Sequence, residues 1–198
     1  MNTKSLSGGK LAGGNPSRGR ALQDYYATHP DSTRALLEVE EIIYPVWEPA
    51  CGEGHISRLL TGNPIISTDL IEKGYGKKFD FLNDGIITLD NKTGIETIIT
   101  NPPFSLFQEF AEKALKVANK KVIMFGKLQA LEGQKRATFM QNSPLKTVYV
   151  FKSRQQPVRN GSDIDELTGK KMNSSTMAFA WFIWEIGYEG EPIIKWLS

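Results

Sequence analysis

The sequence predicts an α/β fold built on one mostly parallel sheet, with an antiparallel strand pair at the C-terminal end. Three observations carry this expectation. Short apolar runs alternate with helical stretches of about ten residues, as in successive strand–helix–strand units. The late strands at 147–151 and 177–185 have no helix between them, so they should pair antiparallel. The composition is globular: of 198 residues, 40% are hydrophobic and 23% charged, which excludes disordered, collagen-like and disulfide-scaffold classes for the bulk of the chain.

Residues 1–22 read as a flexible basic arm, with Lys4, Lys10, Arg18 and Arg20, five glycines and no acid before Asp24. One folded domain is expected over 23–198. Asp31 or Ser32 is expected to cap a helix with apolar positions Leu36, Val39, Ile42 and Ile43, ended by Pro45. Val46-Trp47 is a brief strand and Gly54–Leu60 a helix. Pro64–Thr68 is a strand ending at Asp69, and Ile95–Thr100 one ending at Asn101. Ser105 and Gln108 fit a capping box for a helix whose stripe is Phe107, Phe110, Ala111, Ala114 and Ala118. Lys121–Phe125 is a strand and Leu128–Met140 a helix. The 177–185 strand is apolar enough to be central, with Trp181 and Trp184 in the core, and 192–196 is an edge strand. The polar stretch 152–174 is a substrate-facing loop carrying Lys152, Arg154, Arg159, Lys170 and Lys171.

Several chemistries are excluded at once. Cys51 is the single cysteine, so no internal disulfide forms and a reducing cytoplasm is the expected compartment. No leader pattern opens the chain, and its longest apolar run is too short for a bilayer. No Pro-Cys pair offers a thiolate for attack on cytosine C5. His29 and His55 lack metal-ligand spacing, so no metal is expected. Gly126-Lys127-Leu128 lacks the hydroxyl of a phosphate-binding loop.

The informative residues fall at strand ends, where ligands bind in such sheets. Glu48-Pro49-Ala50-Cys51-Gly52-Glu53-Gly54 follows a strand and turns on glycines. Such a turn alone suits a dinucleotide, a nucleoside or neither. Ser57 stands where a dinucleotide fingerprint has its third glycine or alanine, and Glu48 and Glu53 would repel a pyrophosphate. They would welcome a ligand carrying an amine and a sulfonium, such as S-adenosylmethionine. Asp69 is placed to accept ribose hydroxyls. Asp80 is placed to accept from an adenine amino group, with the Phe81 N–H donating to the ring. Asn101-Pro102-Pro103-Phe104 is the most specific signal. Two prolines stop the strand abruptly. The Asn101 side-chain oxygen and the Pro102 carbonyl can then converge on one amino group, and Phe104 offers a ring to stack on.

In this order the motifs resemble S-adenosylmethionine-dependent methyltransferases of the Asn-Pro-Pro-aromatic type, most of which methylate adenine N6 in DNA. The resemblance runs from Tyr26-Ala27-Thr28-His29-Pro30 through Glu48–Gly54, Asp69, Asp80-Phe81-Leu82 and Asn101–Phe104. The family's first element more often reads Thr-Pro-Pro; His29 is the departure. The order is similar to the gamma arrangement and to small phage and prophage enzymes, which also share Lys127-Leu128-Gln129 and a late aromatic strand. The resemblance covers roughly 23–198. It implies a single-domain, Rossmann-like class I methyltransferase fold, with the reaction in the cytoplasm of a bacterial or phage-infected cell.

For this chain it implies catalysis by Asn101, Pro102, Pro103 and Phe104. It implies cofactor binding by Thr28, Glu48, Ala50, Gly52, Gly54, Asp69, Leu70, Asp80, Phe81 and Asn101. Substrate contacts would come from Phe104, Lys127, Arg154 and Arg159. The partner would be nucleic acid, namely DNA, with the base flipped from the stack. The same element serves adenine in RNA and, usually with Tyr in place of Phe104, glutamine in protein. A nucleic-acid-binding module without turnover is the reading from another class.

Overall fold

A computed structural model describes residues 26–85, 94–155, 158–159 and 177–198. The arm at 1–22 and most of the loop at 152–174 lie outside these residues.

The elements, in order, are β1 (Tyr26–Ala27), α1 (Pro30–Leu37), β2 (Val46–Glu48), β3 (Ile65–Asp69), β4 (Lys77–Lys78) and β5 (Thr97–Thr100). There follow α2 (Phe107–Val117), β6 (Lys121–Lys127), α3 (Gln134–Gln141), β7 (Leu145–Phe151), β8 (Val158–Arg159), β9 (Phe179–Glu185) and β10 (Ile193–Leu197). Eight strands form one sheet in the order β10-β7-β9-β6-β5-β2-β3-β4. β9 runs antiparallel to both its neighbours, β6 and β7, and every other pairing in this sheet is parallel. The expected antiparallel pair is thus β7–β9, and β9 is central because six of its seven residues are buried. β10 is the expected edge strand, lying parallel to β7.

Alternating side chains send β9 into two cores. Ala180, Phe182 and Trp184 pack with Trp47, Ile98 and Val122 beneath the α2 stripe Phe107, Phe110, Ala111 and Ala114. Trp181 and Ile183 pack on the opposite face with Ile99, Ile123 and Leu36 of α1. The sheet is therefore covered on both sides, which is why its middle strands read as continuous apolar runs.

Five local expectations are corrected. α1 stops at Leu37 rather than running to Ile43. Beyond it, Glu40 accepts from Lys121 Nζ at 2.6 Å and Tyr149 Oη at 3.0 Å, so tertiary partners end the helix and Val39 is left exposed. The cap of α1 is His29, whose Nδ1 accepts from the Asp31 N–H, and not Asp31 or Ser32. The helix expected at 54–60 is a tight turn followed by a single 3₁₀ turn, Ser57–Leu59.

The capping box at Ser105 does not form. A 3₁₀ turn occupies Phe104–Leu106, and Gln108 donates instead to Glu112 at 2.8 Å. The Leu106 N–H is taken by the Pro103 carbonyl, which delays α2 until Phe107. The helix expected at 128–140 is split into a 3₁₀ turn at Leu128–Leu131 and α3, because Gly133 adopts φ +100°.

A separate two-stranded ladder, unforeseen from the sequence, joins β1 to β8, pairing Tyr26 with Arg159 and Ala27 with Val158. It brings Tyr26 and Ala27 against the backbone at 158–159.

Candidate active site

β2, β3 and β5 are parallel neighbours, so their carboxyl ends bring Glu48, Asp69 and Asn101 to one rim of the sheet. Burial there is asymmetric. Glu48 is 1% exposed, and its Oε2 accepts both the Ser57 N–H, at 2.9 Å, and the Ser57 hydroxyl. Ser57 Oγ also lies 2.7 Å from Ser67 Oγ. Burial pushes the Glu48 carboxyl up to about 8, against the pull of the Ser57 donors. Ser57, read from the sequence only as a missing glycine, is the residue that seats the carboxylate. A hydroxyl nine positions after a strand-end acid was the available signal.

Asp69 organises the glycine turn. Its Oδ2 accepts from the Gly52 N–H at 2.8 Å and its Oδ1 from the Ile71 N–H at 3.0 Å. Gly52 and Gly54 hold φ +52° and +82°, the left-handed region that glycine tolerates. A Cβ on Gly54 would also strike the Tyr75 ring at 2.5 Å. These glycines therefore shape the rim through the backbone.

A cleft of about 260 Å³ opens between these strand ends. Asp69, Leu70, Asp80 and Phe81 line one part of it, and Asn101, Pro102 and Pro103 another. Ile71, Lys73, Leu82, Asn83, Leu106 and Phe110 add to the wall; of these the sequence marks only Leu82 as part of a site motif, and Phe110 as part of the buried stripe of α2. Leu70 is 56% exposed, an apolar side chain kept in solvent at the cleft. Phe81 is buried edge-on against Trp47, with ring centroids 5.1 Å apart. Asp80 folds back on its own turn: Oδ1 accepts from the Leu82 and Asn83 N–H groups and Oδ2 from Asn83 Nδ2. The Asn83 bonds hold its carboxyl below the usual range.

A second, smaller cavity of about 20 Å³ lies behind Asn101, lined by Thr28, Glu48, Ala50 and His55 among others. Ala50 and Asn101 border both cavities. Asn101 Nδ2 donates to Thr28 Oγ1 at 2.9 Å, and Thr28 is 2% exposed. The next two residues, Pro102 and Pro103, have no N–H with which to capture the Asn101 side-chain oxygen in a local turn.

Phe104 stands apart from the cleft wall. Its ring packs against Phe179 at 5.6 Å, and Lys127 Nζ sits 4.7 Å from its centroid. The structure thus joins Phe104 and Lys127 to each other beyond the prolines. Arg154 is exposed, whereas only the backbone of Arg159 is described, in β8. Gln155 accepts from Ser32 Oγ at 2.6 Å and donates to the Ser153 carbonyl. It ties the loop to α1.

No family model and no curated protein matches this sequence. Solved structures do match, at the level of the fold. A type I restriction-modification methyltransferase subunit from Streptococcus thermophilus superposes with TM-score 0.59 at 12% identity, over 87% of this chain and 47% of that one. A Listeria monocytogenes protein described as a class I S-adenosylmethionine-dependent methyltransferase gives 0.57 at 11%, over 92% and 68%. The type I restriction enzyme EcoKI M protein (EC 2.1.1.72) gives 0.53 at 12%, over 83% and 44%. The chain spans about half the length of the type I subunits. The protein has the Rossmann-like fold of the class I methyltransferases. Its structural neighbours include methyltransferase subunits of type I restriction-modification systems. Among the described residues no helix is long and apolar enough to cross a membrane.

Proposed function

We propose that this protein transfers a methyl group from S-adenosylmethionine to the N6 amino group of adenine in DNA. The observation that carries the reading is the seat of Asn101. A side-chain amide stands at a strand end, tied to Thr28 through Nδ2 and bordering both cavities.

The residues present fit the cofactor. Glu48, in the small cavity, becomes an anionic partner for an ammonium group once it gives up the proton that burial lets it hold at neutral pH. The larger cleft is mostly apolar with Asp69 and Asp80 on its wall, which suits a nucleoside. S-adenosylmethionine supplies an electrophilic methyl on a sulfonium. Asp69 accepts from ribose hydroxyls, and Asp80 with the Phe81 N–H faces the base. Leu70 and the glycine turn at Gly52 and Gly54 shape that surface.

Asn101 Oδ1 and the Pro102 carbonyl accept the two amino hydrogens of the target. That keeps the nitrogen lone pair directed at the methyl group, so orientation contributes most of the rate. Pro103 stiffens this turn. Phe104, with Lys127 over its ring, holds the flipped base, and the flip costs a few kcal/mol of stacking. Arg154 and Arg159, with the basic arm at 1–22, meet phosphates. The domain at 23–198 thus supplies both cofactor and base sites, and the loop at 152–174 faces the substrate.

Support for DNA comes from the fold shared with restriction-system subunits. The test is incubation with methyl-labelled S-adenosylmethionine and DNA, RNA or protein, followed by mapping of the labelled atom. N6-methyladenine in DNA is expected. Label on RNA or glutamine would replace that substrate, and no transfer to any of them would leave a binding module. Asn101→Ala is expected to lower turnover by about 100-fold or more while cofactor affinity holds. A variant keeping most of its kcat would sink the mechanism.

A further inference from the structure

We infer that Asn83 reads the exocyclic amino group of the cofactor's base, its side-chain oxygen being turned away from the Asp80 carboxylate that holds its nitrogen. The inference rests on the S-adenosylmethionine reading above. It adds to the base-facing wall a residue that no sequence motif marks.

The turn at 80–84 is closed by its own side chains. Asp80 Oδ1 accepts from the Leu82 N–H at 3.0 Å and from the Asn83 N–H at 3.1 Å. In return the Asp80 N–H donates to Asp84 Oδ2 at 2.8 Å, and the Asp84 N–H donates to the Asp80 carbonyl at 2.8 Å. From α2, Lys113 Nζ donates to the Asp84 carbonyl at 2.7 Å and to the Leu82 carbonyl at 3.3 Å. The backbone on both sides of Asn83 is thus held in place. Asn83 lines the cleft there together with Asp80 and Phe81.

Asn83 is exposed, yet its side chain is tethered: Nδ2 donates to Asp80 Oδ2 at 2.9 Å. An ionised carboxylate only accepts, so the end of the amide that faces it must be the donor end. A flipped amide would set two acceptor oxygens against each other. The Asn83 bonds also hold the Asp80 carboxyl below its usual range, which keeps it ionised near neutral pH. Among the described residues none donates to Asn83 Oδ1, so both of its lone pairs are open, whereas Asp80 already takes three N–H groups. Adenine carries an amino donor at C6, which matches this acceptor. A base with a carbonyl at that position would bring oxygen against oxygen.

The experiment is calorimetry with two unreactive ligands, S-adenosylhomocysteine and its analogue with hydrogen in place of the 6-amino group. Both are titrated into wild type and Asn83→Ala. Wild type should bind the amino ligand more tightly. Asn83→Ala should weaken that ligand by about 3- to 10-fold, the scale of one neutral hydrogen bond, and move the desamino analogue by less than about twofold. If Asn83→Ala does not fold, Asn83→Leu takes its place with the same expectation, since it keeps the approximate shape without either polar end.

An equal loss for both ligands overturns the inference, because Asn83 would then only support the turn. Unchanged affinity for S-adenosylhomocysteine in the variant overturns it as well, and so does a wild type that binds the two ligands alike. Wild type that binds neither ligand would remove the cofactor reading, and this inference with it. Wild type that binds S-adenosylhomocysteine with an indifferent Asn83 removes this inference alone.

Discussion

Ser57 holds Glu48 twice, through its backbone N–H at 2.9 Å and through its hydroxyl, and both bonds reach the same carboxylate oxygen. A buried acid in this position needs such donors, because an unpaired one carries the full cost of leaving water. Ser57→Ala removes the hydroxyl and leaves the N–H. It should destabilise the fold by about 1–3 kcal/mol, seen as a lower urea midpoint at unchanged slope. It should also raise the Glu48 pKa further, since the hydroxyl pulls that value down. A midpoint equal to wild type would show that the pair contributes nothing net.

The pH dependence follows from the same residue. The folded pKa of Glu48, about 8, lies above the ordinary carboxylic value of about 4.3. Between these values the folded protein binds a proton that the unfolded chain has released. Stability from this group is therefore complete below about pH 4 and falls as pH rises towards about 8. Glu48→Gln, a neutral near-isostere, should flatten that fall in urea titrations from pH 5 to 8. If an ammonium group binds beside Glu48, ligand binding at pH 7 should release up to one proton. Calorimetry of S-adenosylmethionine binding in two buffers of different ionisation enthalpy measures this, and equal heats in both would separate Glu48 from the ligand's charge.

Asp69→Ala should weaken S-adenosylmethionine binding rather than the chemical step. The carboxylate accepts from Gly52 and Ile71, so its loss also loosens the glycine turn. Each charge-assisted bond is worth roughly 1.5–3 kcal/mol. Calorimetry should show affinity lower by at least about tenfold. Unchanged affinity would take Asp69 out of the site.

Arg154→Ala combined with Arg159→Ala tests the nucleic-acid surface. Each phosphate that is no longer neutralised should reduce the salt slope of duplex binding by about 0.9. DNA binding should weaken while S-adenosylmethionine binding stays the same. The same slope and the same affinity as wild type would mean that the loop is solvated surface, and another patch would have to meet the DNA.

The pattern of alternating apolar runs and helices was enough to specify the sheet, because burial on two faces dictates composition strand by strand. It marked β9 as central and β10 as an edge. The strand-end residues Glu48, Asp69 and Asn101 were legible for the same reason: parallel strands bring their carboxyl ends to one rim. Long-range partners were not legible. Ser57 on Glu48, Glu40 on Lys121 and Thr28 on Asn101 join residues 9, 81 and 73 positions apart, and no local periodicity records such pairs. Helix ends failed for that reason as well. Local propensity favours continuing α1 past Leu37 and capping α2 at Ser105, but a buried ion pair and the Pro103 carbonyl offered stronger partners. By itself the sequence determined the main strands of the sheet, the long helix α2 and which residues reach the rim, since hydrophobic burial is written into its period, but not the turn at 54–60 or the β1–β8 ladder. Only the tertiary structure decided which way the polar groups there point, since each hydrogen bond depends on where a distant element comes to rest.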